Sequence, residues 1–249
     1  MMLTKQRHQL ILQRLSEQRI VKLKELVELT EASESTIRRD LTDLEAEGYL
    51  ERVHGGATLV IHPEEEPTFE EKRDRHVDEK VAIARKAATF IEDGMSVYLD
   101  AGTTTQAMVP FLTGKQVIVV TNSLPIANDL FDLDIKTFVI GGELKRSTQA
   151  LVGYNARESM MNYRVDLAFL GINGVDLEAG YTTPDPEEAL VKKTAIELAR
   201  TAYILADDSK FGKRSFSRVA PLEAATLVTL SDVAYVRSIE STTKVVNAQ

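Results

Sequence analysis

The chain has no cysteine, which excludes disulfides and thiolate metal sites. It has four histidines, scattered along 249 residues, so a structural zinc site is not expected and no metal ligand is assigned. No apolar run approaches the ~20 residues needed to cross a bilayer. The N-terminus lacks the basic, apolar and small-residue succession of a secretory signal. No membrane partner is expected, and a cytoplasmic protein is the simplest reading. Positive charge is also scarce: 30 Lys and Arg stand against 38 Asp and Glu, a net charge of −8. That balance argues against a protein that coats nucleic acid indiscriminately. It leaves room for one small DNA-reading surface.

What is present is ordinary for a globular chain, with 43% hydrophobic and 27% charged residues. The length suffices for a small module and one substantial domain. Charge is uneven between them. Residues 1–60 carry nine Lys/Arg and ten Asp/Glu, a net of −1, and residues 61–249 carry 21 and 28, a net of −7. A basic face in the front part therefore requires charges segregated in space.

Apolar spacing predicts helices over 4–17, with Ile11, Leu12 and Leu15 on one face, and over 22–30, with Leu23, Leu26 and Val27 inward. A third helix is expected over 33–47, opened by Ser33 as N-cap. Its apolar face is Ile37, Leu41 and Leu44; Ser35, Arg38, Arg39 and Thr42 lie opposite. The run "YLERVHGGATLV" (49–60) reads as two short strands around a His-Gly-Gly turn. Three helices and a hairpin make the pattern of a winged helix-turn-helix, whose second motif helix enters the major groove. The expected DNA contacts are Ser33, Ser35, Thr36, Arg38, Arg39 and Thr42 on that helix, and Arg52, His54, Gly55 and Gly56 in the hairpin. Lys5, Arg7, Lys22 and Lys24 are further phosphate candidates. Asp40, beside the arginines, is expected to pair with an arginine and to face inward. Taken alone, two arginines on an exposed helix face are as well explained by solvation.

Residues 61–80 are highly charged, with a linker-like front half and a back half leading into a helix that ends at Gly94. Strand-like runs then alternate with helices: "MSVYLD", "QVIVVT", "IKTFVIGG", "VDLAFLGI", "TAYILADD" and "AATLVTL". This predicts a mainly parallel sheet covered on both faces, an α/β domain. In such a sheet ligands bind at the carboxyl ends of the strands. The turns there are rich in Gly, Thr, Asn, Asp and Lys. In "DAGTTT" (100–105), Gly102 permits close backbone approach, and Thr103, Thr104 and Thr105 add hydroxyls at a helix start suited to phosphate. Asp100 is placed to hold sugar hydroxyls. Lys145, Arg146 and Lys210 offer cations. Lys192 and Lys193 read as helix surface.

The run "SESTIRRDL" with "GYL" (48–50) and "HGGA" (54–57) resembles the N-terminal signature of the DeoR family of bacterial transcription regulators. The later segments resemble that family's sugar-phosphate-sensing domain, over roughly residues 76–235. The resemblance implies operator double-stranded DNA and a phosphorylated sugar effector as partners. It implies a winged helix-turn-helix over 1–57, a linker over 58–75, and an effector domain over 76–249 similar in fold to ribose-5-phosphate isomerase. It also implies effector roles for Asp100, Gly102, Thr103, Thr104 and Thr105; for Thr121 and Asn122; for Gly141 and Gly142; for Gly171, Asn173 and Gly174; for Asp207 and Lys210; and for Glu187. Within the family, "LTKQRHQLIL", "YLDAGTTT", "GYTTPDPEEAL" and "ADDSKFG" are most similar to members that repress fructose operons in Gram-positive bacteria. Fructose 1-phosphate is then the implied effector, and paired half-sites imply a homo-oligomer, dimer or tetramer.

Isomerisation is the alternative use of such a pocket. It needs a carboxylate within reach of a carbon-bound proton. "GINGV" (171–175) lacks the paired acids of the isomerase loop, which leaves only Asp100 and Glu187 as candidates to face a ligand. A regulator without catalysis and without a cofactor is expected.

Overall fold

The apolar spacing of the first sixty residues produces three helices and a small sheet in a computed structural model of the chain. The structure describes residues 4–18, 20–30, 32–46, 50–53, 55–59, 68–230 and 234–248. Two compact units emerge, Met1–Glu65 and Glu66–Gln249.

In the first unit, α1 (Thr4–Gln18) leads into β1 (Ile20–Lys22), α2 (Leu23–Thr30), α3 (Glu34–Ala46), β2 (Leu50–Val53) and β3 (Gly56–Leu59). The strands form an antiparallel sheet in the order β1-β3-β2. Ile11, Leu15, Val21, Leu26, Ile37, Leu41, Leu44 and Leu50 form the core. Strand β1 was not foreseen. It explains the paired glycines more fully than a turn alone: Gly55 has φ +83°, and a Cβ on Gly56 would lie 2.1 Å from the carbonyl oxygen of Val21.

The expected linker over 58–75 is shorter at both ends. Thr58 and Leu59 complete β3, and α4 (Phe69–Arg73) belongs to the second unit. There Thr68 caps α4 with a reciprocal capping box through Glu71, and Phe69 is buried.

The second unit continues with α5 (Val77–Ala88), β4 (Ser96–Leu99), α6 (Thr103–Gln106), β5 (Ile118–Thr121), α7 (Leu124–Asp132), β6 (Lys136–Val139), β7 (Glu143–Lys145), β8 (Ala150–Val152), α8 (Tyr154–Met160) and β9 (Val165–Gly171). It closes with β10 (Gly174–Asp176), β11 (Gly180–Thr183), α9 (Pro186–Leu198), β12 (Ala199–Leu205), β13 (Ser217–Ala220), β14 (Thr226–Thr229), α10 (Ala234–Ile239) and β15 (Val245–Asn247). Its seven-stranded sheet runs β15-β14-β12-β9-β4-β5-β6, and every pairing in it is parallel. All six foreseen strands are in it; β15 was not foreseen. A β7–β8 ribbon and a β10-β11-β13 sheet, both antiparallel, stand apart from it.

Successive residues of a strand face opposite sides, so β4 feeds two cores. Tyr98 joins Met160, Leu170, Val191 and Ile204 on one face. Val97 and Leu99 join Ile83, Val119, Ile126, Leu130 and Phe169 on the other. With both faces covered, the carboxyl edge is where several loops meet at a surface.

Candidate functional site

The reading helix begins as its sequence dictates. The Ser33 hydroxyl accepts the Thr36 amide at 3.2 Å, and its carbonyl accepts the Ile37 amide at 3.0 Å. The Ser33 hydroxyl also lies 2.9 Å from that of Ser35 and 2.8 Å from that of Thr36, so the three form one cluster. Ser35, Arg38, Arg39 and Thr42 are exposed together. Arg38 pairs with Glu34 one turn earlier at 2.7 Å. Arg39 has no ion pair among the described residues. Arg52 donates a side-chain hydrogen bond to the Thr42 hydroxyl at 2.9 Å, and its amide donates to Glu45 at 2.9 Å. The hairpin strand is thereby fastened to the far half of α3. Gly55 is exposed; His54 and the Lys5 side chain lie outside the described residues, and Lys22 and Lys24 are exposed.

Arg7 is a correction. It is buried, and its guanidinium reaches Asp40 through Nε at 2.5 Å and Nη2 at 2.8 Å. His8 Nε2 lies 3.2 Å from the same carboxylate. Asp40 does turn inward onto an arginine, but that arginine comes from α1 and is not one of its neighbours on α3. The hydrogen bond to Asp40 raises the Arg7 pKa further, against the opposing effect of burial. Arg7 is therefore no phosphate contact: it ties α1 to the reading helix.

At the carboxyl edge of the large sheet, Asp100 ends β4 at 1% exposure. Its carboxylate takes the ammonium of Lys192 and the Gly171 amide, the latter at 3.1 Å. Lys192, foreseen as helix surface, is 4% exposed and also donates to the Gly171 carbonyl at 3.2 Å. One ion pair thus joins the β4 loop, the end of β9 and α9. Lys193 is exposed, as expected. Gly102 caps α6 in extended conformation and accepts the Gln106 amide at 2.9 Å. Thr105 is fully buried, and its hydroxyl donates to the carbonyls of Asp100 and Gly102 at 2.7 and 2.8 Å. Thr103 and Thr104 differ from it: among the described residues neither hydroxyl has a hydrogen-bond partner, Thr103 is half-buried and Thr104 is buried.

Several foreseen ligand groups are taken up inside the protein. Thr121 donates to the Leu99 carbonyl at 2.6 Å. Asn122 accepts the Tyr98 hydroxyl at 2.9 Å and the Ala101 amide at 2.8 Å, and donates to the Leu151 carbonyl at 3.2 Å. Both residues frame the loop. A Cβ on Gly142 would meet Ala156 at 2.7 Å, and one on Gly174 would meet the Lys213 carbonyl oxygen at 2.4 Å, so both permit close packing. Gly141 is exposed, its amide held by the Ser159 hydroxyl at 3.0 Å. Asn173 accepts the Thr183 hydroxyl at 2.9 Å. Lys145 bridges Asp185 at 2.8 Å and Glu188 at 3.0 Å. Burial opposes ionisation of Asp185, but the bonds from Lys145 and from the Glu187 and Glu188 amides outweigh it and lower its pKa. Glu187 is exposed, while Glu188 is buried and accepts the Thr148 hydroxyl at 2.8 Å.

After β12, buried Asp207 caps its own turn by accepting the Ser209 amide at 3.1 Å, and Lys210 is half-buried beyond it. Here α5 supplies residues that the sequence reading missed. Lys80 is 6% exposed; burial lowers its pKa, with Asp207 opposing and Lys210 adding to the effect. Glu79 accepts the Asp208 amide at 2.9 Å, and burial with the charges of Asp208 and Asp207 raises its pKa against that bond. Ligating atoms of His76, Glu79, Asp207 and Asp208 lie within 4.8 Å of one another. The four histidines are scattered in sequence, but this one meets three acids in space. Beside α6 a groove of about 480 Å³ is lined by Arg73, Lys80, Thr103, Gln106, Asp129 and neighbouring apolar side chains. It shares only Thr103 with the foreseen ligand set and flanks the edge. The two carboxylates considered for proton transfer are unsuited to it, since Asp100 is held by Lys192 and Glu187 faces solvent.

A reading helix in a small winged unit and an α/β unit with loops gathered at one edge define a DNA-binding protein with a sensor domain. Residues 7–62 match the DeoR-like helix-turn-helix domain, and residues 75–231 match the DeoR C terminal sensor domain. The chain belongs to the DeoR family of transcriptional regulators and is not an enzyme. It is similar to an uncharacterized HTH-type transcriptional regulator of Bacillus subtilis, FruR, at 48% identity over 92% of this chain and 91% of the relative. It is 34% identical to the glycerol-3-phosphate regulon repressor of Escherichia coli, over 84% of each chain. Ribose 5-phosphate isomerase A of Methanocaldococcus jannaschii matches 54% of each chain at 19% identity with a TM-score of 0.41, too loose a likeness to argue from. Among the described residues no helix is long and apolar enough to cross a membrane.

Proposed function

We propose that this protein represses a sugar-utilisation operon, with fructose the sugar, and that a phosphorylated sugar bound at the carboxyl edge of the parallel sheet releases it from its operator. The observation that carries the reading is the loop after β4. It is held by the Asp100–Lys192 pair, Thr105 and Asn122, while half-buried Thr103 keeps a hydroxyl available at a helix start, with Thr104 buried beside it. Such a start favours an anion. The effector is then held by Gly102, Thr103 and Thr104, with Lys210 beyond β12 and Gly141 and Glu187 toward the sugar. Asp100, Thr105, Thr121, Asn122 and Lys145 act by framing that site. Fructose 1-phosphate is the effector we assign, on the motifs shared with fructose-operon repressors and on the likeness to FruR. The name of the glycerol-3-phosphate regulon repressor accords with a phosphorylated ligand.

On DNA, Ser35, Arg38, Arg39 and Thr42 read the groove, with the wing beside it. An effector that prefers one arrangement of the protein shifts operator affinity by that preference, and DNA shifts effector affinity equally. A coupling of about 1–3 kcal/mol changes operator affinity about 5–150-fold. The acidic larger unit keeps sequence-independent binding weak. The test is a thermal-shift series with fructose 1-phosphate, fructose 6-phosphate, fructose 1,6-bisphosphate and tagatose phosphates, joined to a gel shift on DNA upstream of the chain's own gene. Fructose 1-phosphate should raise the melting temperature most and abolish the gel shift. No rise with any of them would refute the effector assignment; a rise with no effect on the gel shift would refute the linkage.

A further inference from the structure

We infer that the β6 edge of the large sheet, with the flanks of α7 and α8 beside it, is the surface on which a second copy of this chain docks. Among the described residues strand β6 has a single neighbour, β5, and stands at the edge of the sheet. Single apolar side chains are exposed elsewhere in the unit, Phe216 and Leu177 among them, but around β6 they gather. Phe138 and Val139 on the strand are exposed, as are Phe131 on α7 at 82%, Leu144 on β7 at 51%, and Tyr154 and Met161 at the two ends of α8. Helices α7 and α8 border this edge from opposite faces of the sheet, Leu130 of α7 in one core and Met160 of α8 in the other; the Phe138 ring lies 5.6 Å from that of Tyr163, just past α8, and Ser159 of α8 holds the Gly141 amide just past β6. At the opposite edge no large apolar side chain of β14, α10 or β15 is exposed among the described residues. The two edges of one sheet are therefore finished differently.

The size of the patch points to its occupant. With ~150–250 Å² for a fully exposed aromatic side chain, the six residues leave on the order of 600 Å² in water. That is the upper end of what a monomer's largest patch exposes, ~300–600 Å², and most of the ~800 Å² per partner of a standard stable interface. An edge strand flanked by apolar side chains is a template for another strand. A second copy brings the same edge, and a two-fold axis pairs β6 with β6 antiparallel in a self-complementary contact that continues the sheet across both chains. The inference rests on the proposed reading of paired operator half-sites only for its purpose, not for its geometry.

The absence of cysteine makes the location directly testable. Single Lys136→Cys, Thr137→Cys and Val139→Cys variants of the full chain would be oxidised and run on non-reducing gels, with Lys244→Cys before β15 as control. A cross-linked dimer from at least one β6 position and none from Lys244→Cys is expected. By sedimentation velocity the unsubstituted chain should be a dimer or tetramer. The Phe131→Glu/Val139→Glu variant should fall to a lower state while keeping the far-UV circular dichroism and the cooperative melting transition of the unsubstituted chain, which report a folded sensor unit. A monomeric unsubstituted chain, an unchanged mass in the double variant, or cross-linking only through Lys244→Cys would overturn the inference. Each of these outcomes is independent of whether the effector or operator assignment holds.

Discussion

Among the described residues each unit contains one deeply buried ion pair between an aspartate and a base, and the two pairs sit in different places. Arg7–Asp40 joins two helices of the small unit, so that α3 presents its opposite face at a fixed angle. Lys192–Asp100 joins a helix to two strand ends, directly beneath the loop assigned to the phosphate. The first pair supports the helix assigned to the DNA groove; the second supports the loop assigned to an anion. In both, the aspartate is the less exposed partner, at 2% for Asp40 and 1% for Asp100. Removing the base should therefore harm more than its own contacts suggest, because it strands a buried carboxylate.

The comparison can be broken or sharpened by experiment. Lys192→Ala should destabilise the larger unit by about 3–5 kcal/mol, seen in calorimetry as a lower transition for that unit alone. An unchanged transition would mean that water reaches Asp100. Arg7→Ala should cost the small unit about 3 kcal/mol and weaken operator binding with it, whereas Arg7→Met with Asp40→Leu should recover most of that stability. If Arg7→Ala instead left stability intact and lowered the salt dependence of binding by about one ion, Arg7 would be a phosphate contact after all. Arg39→Ala should leave melting unchanged and weaken operator binding by about 1–3 kcal/mol in gel-shift titrations.

Acid should separate the units next. Asp166 is held below the ordinary 3.8 by the amide and hydroxyl of Ser96. Asp176 and Asp185 resist burial and also fall below 3.8 through bonds from Ala179, Arg214 and Lys145. Groups with lowered folded-state values stabilise above the ordinary pKa and lose that contribution as the pH falls through the lowered one. The larger unit's melting temperature should thus decline below about pH 4, and replacing Asp185 with Asn should flatten the decline. Smallest of all, Lys193→Ala should move stability by no more than ~0.5 kcal/mol, although it adjoins Lys192.

The two pairs also mark where the sequence was legible. Helices α1 to α3 and six sheet strands follow from periodicity, but β1 and β15, at three residues each, are too short to show any. The partners Arg7 and Asp40 did carry a signal. Arg7 precedes Ile11 and Leu15 at four-residue spacing, and Asp40 sits within the stripe of Ile37, Leu41 and Leu44, so each is a charge on an apolar face that calls for the other. Lys192 carried none. Helix α9 is buried at Glu188, Ala189, Val191, Lys192, Thr194, Ala195 and Leu198 and exposed along the narrow stripe of Glu187, Lys193 and Glu197, so a lysine adjoining that stripe in sequence reads as part of it. That the loops after the strands gather at one edge was legible, since strand ends of a parallel sheet must converge. Which hydroxyls stay unpaired was not, because Thr103 and Thr105 are chemically alike and differ only in what surrounds them.

Asn122 makes the loop part of a linkage longer than the site itself. Its amide ties the loop after β4 to β8, and the β7–β8 ribbon touches the first helix of the unit twice. The Phe69 amide reaches the Ser147 carbonyl at 2.8 Å, and the Gln149 side chain reaches Glu70 at 2.6 Å. That helix, α4, is the first element after the stretch leading from the small unit. A displacement of the loop would reach, through one side chain and one ribbon, the helix at which the chain enters the larger unit. The machine would then have a short transmission: a handful of hydrogen bonds between the grip and the tether.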